Sequence, residues 1–216
     1  MSKPRIIVLF GAQGSGKGTQ ARLIQEKTGL PQVATGDLFR YNLRHNTPLG
    51  QLAKSYISKG DLVPDGVTNQ MVKDRLQNSD AQAGVILDGY PRNIAQAQAL
   101  DEMLTELSAS FQAVYIEVPQ ADLMRRLTGR RICKGCQASY HIVFNPPKTE
   151  GVCDKCAGQL YQRDDDKENA TIARRLEVYF EETTPVIEWY RALGLLAEVD
   201  GSGGIEVVNQ SIVESL

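Results

Sequence analysis

Near the start of the chain, an apolar run leads into a glycine-rich loop and then into a polar stretch with helical spacing. The apolar run covers residues 6–10, and residues 11–18 read GAQGSGKG. A continuous apolar run rich in β-branched residues is typical of a central parallel strand covered by helices on both faces. A glycine loop between such a strand and a helix brings backbone N–H groups and the positive end of the helix dipole to bound phosphate. The segment therefore predicts a nucleotide-binding α/β protein.

The loop matches the phosphate-binding pattern GxxxxGK, with Gly11, Gly16 and Lys17 at the defining positions. Lys17 supplies a positive charge that can reach the β- and γ-phosphates of a nucleotide. The next residue is Gly18, where Ser or Thr is usual, and Thr19 comes one position late. We therefore expect this loop to hold magnesium less directly than most P-loops do. A strand-to-helix turn without a ligand is the alternative, which the flanking patterns disfavour.

Strand and helix patterns alternate along the rest of the chain. Further strands are predicted at residues 32–34, 84–88, 113–118 and 195–199, and helices at 95–107, 120–127 and 170–193, the last interrupted near Pro185. This alternation predicts a parallel five-stranded sheet with right-handed crossovers and helices on both faces. Ligands bind such sheets at the carboxyl ends of the strands, where both the P-loop and Asp88 fall.

Two stretches depart from the alternation. Residues 36–66 have the pattern of a small helical insert, and residues 129–167 are turn-rich and contain all four cysteines. Each is a candidate mobile subdomain over the nucleotide site. Lid closure is a common way to exclude water, which would otherwise compete as a phosphoryl acceptor.

Length and charge narrow the class of protein. A chain of 216 residues suits one domain with insertions or two small domains. Its net charge of −2 argues against a dedicated nucleic-acid binder, which normally has a basic excess. The sequence has no apolar stretch near the roughly 20 residues that span a bilayer, and its first residues lack a signal-peptide pattern. We expect a soluble cytoplasmic protein with no membrane partner.

The cysteines form two CxxC pairs, Cys133 with Cys136 and Cys153 with Cys156. This spacing is typical of a tetrahedral zinc site. Four thiolates fill the coordination shell, so the predicted role of the metal is structural rather than catalytic. The same ligands also suit iron, and a disulfide pair is less expected in a cytosolic protein. A zinc ribbon that binds nucleic acid is a further alternative, against which the acidic balance of the chain weighs.

A metal in this segment would hold together a unit too small for a core of its own. We predict Tyr140, Ile142, Phe144 and Tyr161 as its apolar filling. His141 is interpreted as a hydrogen-bonding residue rather than a fifth ligand.

Seven motifs in order along the chain carry a family resemblance. They are GAQGSGKGTQ (11–20), ATGDLFR (34–40), GDLVPD (60–65), LDGYPR (87–92), LTGRRIC (127–133), YHIVFNPP (140–147) and RRLEVY (174–179). With them, the chain resembles bacterial adenylate kinases of the long-lid, zinc-binding type. The resemblance implies a P-loop NTPase-like core of residues 1–34, 67–128 and 168–216, an insert for the nucleoside monophosphate (NMP) at 35–66 and a zinc lid at 129–167.

The resemblance also implies the reaction and its site. The activity would be reversible transfer of the γ-phosphoryl group from MgATP to AMP, giving two ADP, by a monomer. By similarity, the ATP contacts are Gly14, Ser15, Gly16, Lys17, Gly18, Thr19, Arg126, Arg130, Ser139, Tyr140 and Gly203. The AMP contacts are Thr35, Arg40, Asp61, Leu62, Val63, Gly89, Tyr90, Pro91, Arg92, Gln96, Arg163 and Arg175. The catalytic set is Lys17, Asp88, Arg92, Arg126, Arg130, Arg163 and Arg175, with Asp88 ordering magnesium through water.

Arginine suits this chemistry because its planar fork stays charged and donates several hydrogen bonds to phosphate. Asp165 and Asp166 resemble lid aspartates that brace the closed state. The stretch at residues 163–176 is one residue longer than the usual form. Arg174 therefore competes with Arg175 for the same role.

Two other readings remain open at this stage. One is a kinase for UMP, CMP or GMP, because phosphate chemistry does not report the base, and only the resemblance links Thr35 and Gln96 to adenine. The other is a nucleotide-binding switch or zinc-dependent interaction module without turnover. The many arginines and the two lid-like inserts argue against the second reading, because a pure binder needs neither an acceptor site nor water exclusion.

Overall fold

The computed structural model describes residues 3–216. Its centre is a five-stranded parallel sheet with strand order β2-β3-β1-β4-β8, which confirms the predicted architecture. The strands are β1 (Arg5–Phe10), β2 (Gln32–Ala34), β3 (Gly84–Asp88), β4 (Ser110–Glu117) and β8 (Leu196–Asp200). Three short antiparallel strands form a second sheet in the order β6-β5-β7: β5 (Arg130–Cys133), β6 (Ser139–His141) and β7 (Leu160–Tyr161).

Nine α-helices connect these strands in the described part of the chain. They are α1 (Lys17–Thr28), α2 (Thr35–Arg44), α3 (Pro48–Ile57), α4 (Asp65–Leu76), α5 (Ile94–Leu107), α6 (Gln120–Thr128), α7 (Asn169–Val178), α8 (Thr184–Ala192) and α9 (Ile205–Ser215). No helix among residues 3–216 combines the length and apolarity needed to span a bilayer.

The core has two layers because alternate side chains of β1 point to opposite faces of the sheet. Ile6, Val8 and Phe10 pack with residues from α4 to α8, whereas Ile7 and Leu9 pack with α1 and α9. All five side chains are buried. The continuous apolar run of β1 thus reflects burial on both faces, as expected for a central parallel strand.

The two inserts have small cores of their own. Helices α2 and α3 enclose Phe39, Ala53 and Val63. The antiparallel sheet encloses Cys133, Ala138, Tyr140, Cys153 and Leu160.

The prediction that Ile142 and Phe144 fill the cysteine-rich segment is wrong, because both side chains are more than half exposed. They follow β6 in a turn, where the ring of Phe144 stacks on His141 and lies beneath the guanidinium of Arg125. Two of the cysteines, Cys133 and Cys153, are buried in the interior instead. His141 does act as a hydrogen-bonding residue: its Nε2 contacts the Arg125 carbonyl and its Nδ1 accepts from the Val143 N–H.

The long helical stretch predicted at 170–193 is interrupted, as expected from Pro185, but the interruption precedes the proline. A π-helical turn, Tyr179–Thr183, joins α7 to α8. Proline has no N–H to donate and its ring clashes with the carbonyl four residues back, so a wider turn before it lets the helix continue.

Candidate active site

The glycine loop lies between β1 and α1, at the carboxyl edge of the sheet. Gly16 immediately precedes α1 with φ 99°, a left-handed conformation that favours glycine. Within residues 3–216, the backbone N–H groups of Gly14, Gly16, Lys17 and Gly18 donate to no protein acceptor. They line a cleft of about 1000 Å³. Free N–H groups at a helix N-terminus make this end of the cleft an anion-binding site.

Lys17 extends back over the loop, where its Nζ donates to the carbonyl oxygens of Gly11 and Ala12, the latter at 3.0 Å. Burial lowers the pKa of Lys17 from 10.5 to about 8, and the neighbouring carboxylate of Asp88 opposes that shift. The arginines of the cleft, Arg92 first among them, lower it further. The ammonium group is thus desolvated and faces a region that already holds several positive charges, an arrangement that a polyphosphate would complement.

Asp88 ends β3, and its place beside the loop follows from strand register. It pairs with Leu9 of β1 on one side and Ala34 of β2 on the other. Its Oδ2 accepts a hydrogen bond from Gln32 Nε2 at 3.1 Å. A Cβ built on Gly18 would lie 3.4 Å from the same oxygen, so glycine lets this carboxylate approach the start of α1 closely.

The opposite end of the cleft is built around Arg92, which follows β3. Its Nε donates to the Gly89 carbonyl at 2.7 Å, and its backbone N–H donates to Gln96 Oε1 at 2.8 Å. Thr35 Oγ1 also donates to the Gly89 carbonyl, at 2.8 Å. Burial lowers the pKa of Arg92 to about 10, and the nearby Arg175 contributes. Arg92 therefore stays charged at neutral pH in a fixed orientation.

Two further arginines reach this end from different parts of the chain. Arg40 of α2 and Arg163, which follows β7, share the carboxylate of Asp37, at 2.6 Å and 3.4 Å respectively. Asp37 thus joins the helical insert to the cysteine-rich segment. Burial lowers the pKa of Arg163 to about 10, and its Nε is buried without a hydrogen-bond partner in the described chain.

A third group lies where the cysteine-rich segment returns to the core. Arg130 and Arg175 both bind the fully buried carboxylate of Asp166, and Arg175 also pairs with Asp165 at 3.2 Å. Arg174 points away, paired with Asp61 and Glu177. The side chain of Arg174 is 46% exposed and that of Arg175 is 12% exposed. Of these two arginines, Arg175 lines the cleft and Arg174 does not.

The loop between β8 and α9 closes the side of the cleft next to the P-loop. Arg126 of α6 donates to the Gly201 carbonyl at 3.1 Å, and Gly203 lines the cleft nearby. Ser139 and Tyr140 of β6 line it from the small antiparallel sheet. These residues line the part of the cleft adjacent to the glycine loop.

The four cysteines converge at the tip of the antiparallel sheet, with all their Sγ atoms within 4.8 Å of one another. Cys133 and Cys156 are 3.4 Å apart, and Cys136 and Cys153 are 3.6 Å apart. A tetrahedron with Zn–S bonds of about 2.3 Å has edges of about 3.8 Å, so the donor set fits zinc closely. Tyr140 Oη accepts from the Asp154 N–H at 2.8 Å and is directed at Cys153 Sγ at 3.4 Å, as an outer-shell donor to a thiolate would be.

Comparisons with known proteins agree with this site. A sequence model of the adenylate kinase family matches residues 9–195. The chain belongs to the adenylate kinase family. It is 52% identical to an adenylate kinase of Thermodesulfovibrio yellowstonii, over 95% of this chain and 96% of the relative. It is also 52% identical to one from a Geobacillus species, over 97% of each chain, and 50% identical to one from Methanocella arvoryzae, over 95% of each. Members of this family are nucleoside monophosphate kinases.

Most residues that the adenylate kinase resemblance suggested do line the cleft. On the P-loop side these are Gly14, Gly16, Lys17, Gly18, Thr19, Arg126, Arg130, Ser139, Tyr140 and Gly203, with Asp88 at the centre. On the other side they are Thr35, Arg40, Asp61, Leu62, Val63, Gly89, Pro91, Arg92, Gln96, Arg163 and Arg175.

Two suggested nucleotide contacts, Ser15 and Tyr90, are outside the cleft lining. Tyr90 is buried in the core, with its hydroxyl bonded to Asn69 Oδ1 at 2.9 Å. Ser15 is buried in the loop, and its Oγ has no hydrogen-bond partner among residues 3–216. Any contact of these residues with a nucleotide would come from the backbone.

Sequence reasoning missed two acidic residues of this adenylate kinase site. Asp37 pairs with Arg40 and Arg163, and Asp65 accepts from Gln96 Nε2 at 2.7 Å. Both stand within the short segments TGD (35–37) and VPD (63–65), which belong to two of the motifs that carry the resemblance. Their role as partners of other cleft residues depends on contacts between distant parts of the chain.

Proposed function

We propose that this chain transfers the γ-phosphoryl group of MgATP to AMP, reversibly, giving two ADP. One observation carries the proposal: two groups of residues suited to binding phosphate line the same cleft. The first is the P-loop with Lys17, and the second is formed by Arg40, Arg92, Arg163 and Arg175. A donor and an acceptor phosphate bound there would be brought together, and positioning supplies much of the catalysis in phosphoryl transfer.

The proposed roles follow from where each group lies. The N–H groups of the P-loop and Lys17 bind the ATP phosphates, with Arg126 and Arg130 contacting them from the base of the lid. Asp88, beside Gly18, orders the magnesium of MgATP through water. Arg40, Arg92, Arg163 and Arg175 hold the acceptor phosphate and neutralise the charge that moves during transfer.

We assign the residues that bind the two adenine bases from their positions in the cleft. Gly203 lies in the wall beside the P-loop and receives the adenine of ATP. Thr35, Gln96 and the backbone at residues 61–63 surround the AMP base, with residues 89–91 contributing backbone. We assign residues 35–66 to the AMP-binding insert, 129–167 to the lid, and 1–34, 67–128 and 168–216 to the core.

The metal of the lid has a structural role in this proposal. Cys133, Cys136, Cys153 and Cys156 would bind zinc with no coordination position left for water. CxxC pairs that bind metal instead of forming disulfides suit a reducing compartment, so we propose a cytoplasmic location. We propose that the chain acts as a monomer with nucleotides as its partners, and its net charge of −2 argues against nucleic acid as a partner.

The deciding experiment is to measure ADP formation from MgATP with AMP, CMP, UMP and GMP offered separately. Preference for AMP would support the proposal. Another preferred acceptor would keep the mechanism and overturn the base assignment, and no transfer to any of them would leave a nucleotide-binding switch. The Lys17→Ala variant, purified identically, controls for contaminating host kinases, because it should lose nearly all turnover.

A further inference from the structure

The π-helical turn, Tyr179–Thr183, packs against the cleft, and after Tyr179 it belongs to no motif singled out from the sequence. Its last residue, Thr183, is buried, and the Oγ1 atom donates a 2.8 Å hydrogen bond to the backbone carbonyl of Arg92. The two residues are 91 positions apart in the chain. The next residue, Thr184, is only partly buried, and its side chain makes no hydrogen bond within residues 3–216.

The hydrogen bond from Thr183 completes the fixation of Arg92. The Arg92 N–H donates to Gln96 Oε1 at 2.8 Å, its carbonyl accepts from Thr183, and its Nε donates to the Gly89 carbonyl at 2.7 Å. The backbone N–H, the backbone carbonyl and the Nε of Arg92 are therefore all held by hydrogen bonds. The two terminal Nη atoms remain for a phosphate, in a fork whose direction is fixed by these three bonds.

Such fixation matters because misplacing a phosphate-binding group by about 1 Å can cost on the order of a hundredfold in rate. Groups that hold a binding residue in place therefore contribute to turnover without touching substrate. Thr183 acts from the helix that runs out of the lid, so it also links the position of this helix to that of Arg92.

We propose that Thr183 is a positioning residue for the acceptor phosphate, acting through Arg92. This inference rests on the proposed role of Arg92 in AMP binding. Thr183 lines the cleft, but it is buried and its hydroxyl is committed to the Arg92 carbonyl, so we assign it no direct part in phosphoryl transfer. The threonine hydroxyl keeps the Arg92 carbonyl, and with it the guanidinium fork, in the orientation that receives AMP.

The test compares Thr183→Val, which keeps the shape and removes the donor, with Thr183→Ser, which keeps the donor. Thr184→Val, at the neighbouring position, is the matched control. We expect Thr183→Val to lower kcat/KM for AMP by at least about tenfold and to weaken AMP binding in calorimetry, with KM for MgATP within about twofold of wild type. Thr183→Ser and Thr184→Val should remain within about threefold of wild type for both substrates.

A double-mutant cycle separates positioning from a general structural role. In an Arg92→Ala background, Thr183→Val should cause little further loss, because the residue it positions is gone. Thermal unfolding of each variant shows whether the fold is intact, and Thr183→Ala replaces Thr183→Val if the valine variant does not fold.

The inference is overturned if Thr183→Val lowers kcat/KM equally for AMP and MgATP, or if Thr183→Ser is as impaired as Thr183→Val. It is also overturned if Thr183→Val causes its full loss of kcat/KM in the Arg92→Ala background. A wild-type protein that forms no ADP from AMP would instead overturn the proposed function. Normal wild-type turnover with a normal Thr183→Val variant overturns this inference alone.

Discussion

Arg130 and Asp166 form a two-point ion pair where the lid joins the core, with Nε to Oδ2 at 2.7 Å and Nη2 to Oδ1 at 2.8 Å. Asp166 is 0% exposed, and the same carboxylate accepts from Arg175 Nη1 at 2.8 Å. Two arginines that line the cleft are thus held by one buried carboxylate. This carboxylate connects β5 to α7, so it ties the base of the proposed lid to the proposed core.

The first prediction concerns the stability of this cluster. Replacing Asp166 with Asn leaves two largely buried guanidinium groups without their shared anion. Removing one partner from a buried ion pair typically costs about 3–5 kcal/mol, and we expect the free energy of unfolding to fall by about that amount. Urea denaturation at pH 7 measures it.

Asp164 provides the matched control, because its side chain is 96% exposed and, among residues 3–216, forms an ion pair only with Lys167. Asp164→Asn should change the free energy of unfolding by less than about 0.5 kcal/mol. If Asp166→Asn were as mild as this control, the buried carboxylate would not be what holds the cluster together.

The second prediction separates two adjacent arginines. Arg175 lines the cleft and Arg174 is paired on the surface with Asp61 and Glu177. Arg175→Ala should lower kcat by about a hundredfold or more, in the range seen when one donor to transition-state charge is removed. Arg174→Ala should stay within about threefold of wild type, since exposed ion pairs contribute little.

Steady-state kinetics with both nucleotides varied would measure these effects. The reverse ranking of the two variants would mean that the helix turns its other face to the nucleotides in solution. Circular dichroism of both variants would show that the comparison is made between folded proteins.

This pair illustrates what the sequence determined and what it left open. Burial on both faces of a parallel sheet produces apolar runs, so the strands were predictable from local pattern. The choice between Arg174 and Arg175 was not predictable from local pattern. Neighbouring residues on a helix point about 100° apart, so one extra residue before the helix changes which of the two arginines faces the cleft. The 3₁₀ turn Asp164–Asp166 and the start of α7 at Asn169 set the phase that brings Arg175 inward.

Contacts between distant segments were equally beyond local pattern. The hydrogen bond from Thr183 to Arg92 depends on packing of the π turn against the loop after β3. The exposure of Ile142 and Phe144 was also missed, because apolar residues near metal ligands were assumed to fill the lid. The interior of this segment is small enough for Cys133, Cys153 and three neighbours to fill it, so these two side chains remain outside.

The third prediction tests the metal site of the lid. Cys153→Ser removes one of four thiolates that together match a zinc tetrahedron. We expect bound zinc to fall from about one per chain to well below one, with a lower thermal midpoint, because metal binding contributes directly to the folding of small units. Turnover measured well below the thermal midpoint should be affected less than the thermal midpoint itself, because the proposed phosphate ligands are not among the cysteines.

Elemental analysis and scanning calorimetry give the two readouts. Thr149→Ala, an exposed lid position, is the control and should keep its metal and its thermal midpoint. A Cys153→Ser protein with full metal content and unchanged melting would contradict the proposed ligand set.

The fourth prediction concerns pH. Burial lowers the pKa of Lys17 to about 8 in the free enzyme, so the ammonium group loses its proton as pH rises through that value. Neutral lysine attracts phosphate less, and kcat/KM for MgATP should therefore fall about tenfold per pH unit above about 8. Bound phosphates favour the charged form and raise this pKa, so kcat at saturating nucleotide should stay level to higher pH.

Rate profiles from pH 6.5 to about 10 at constant ionic strength distinguish Lys17 from other titrating groups. Lys17→Arg keeps a permanent charge and should give a lower kcat/KM for MgATP that shows no decline near pH 8. Lys17→Met should likewise be flat there, at a still lower level. A wild-type kcat/KM that remains level to pH 9.5 would contradict the predicted role of Lys17 in the pH dependence. A decline near pH 8 that persists in Lys17→Arg would assign that decline to another group. A decline confined to the wild type would tie ATP capture to the protonated form of this buried lysine.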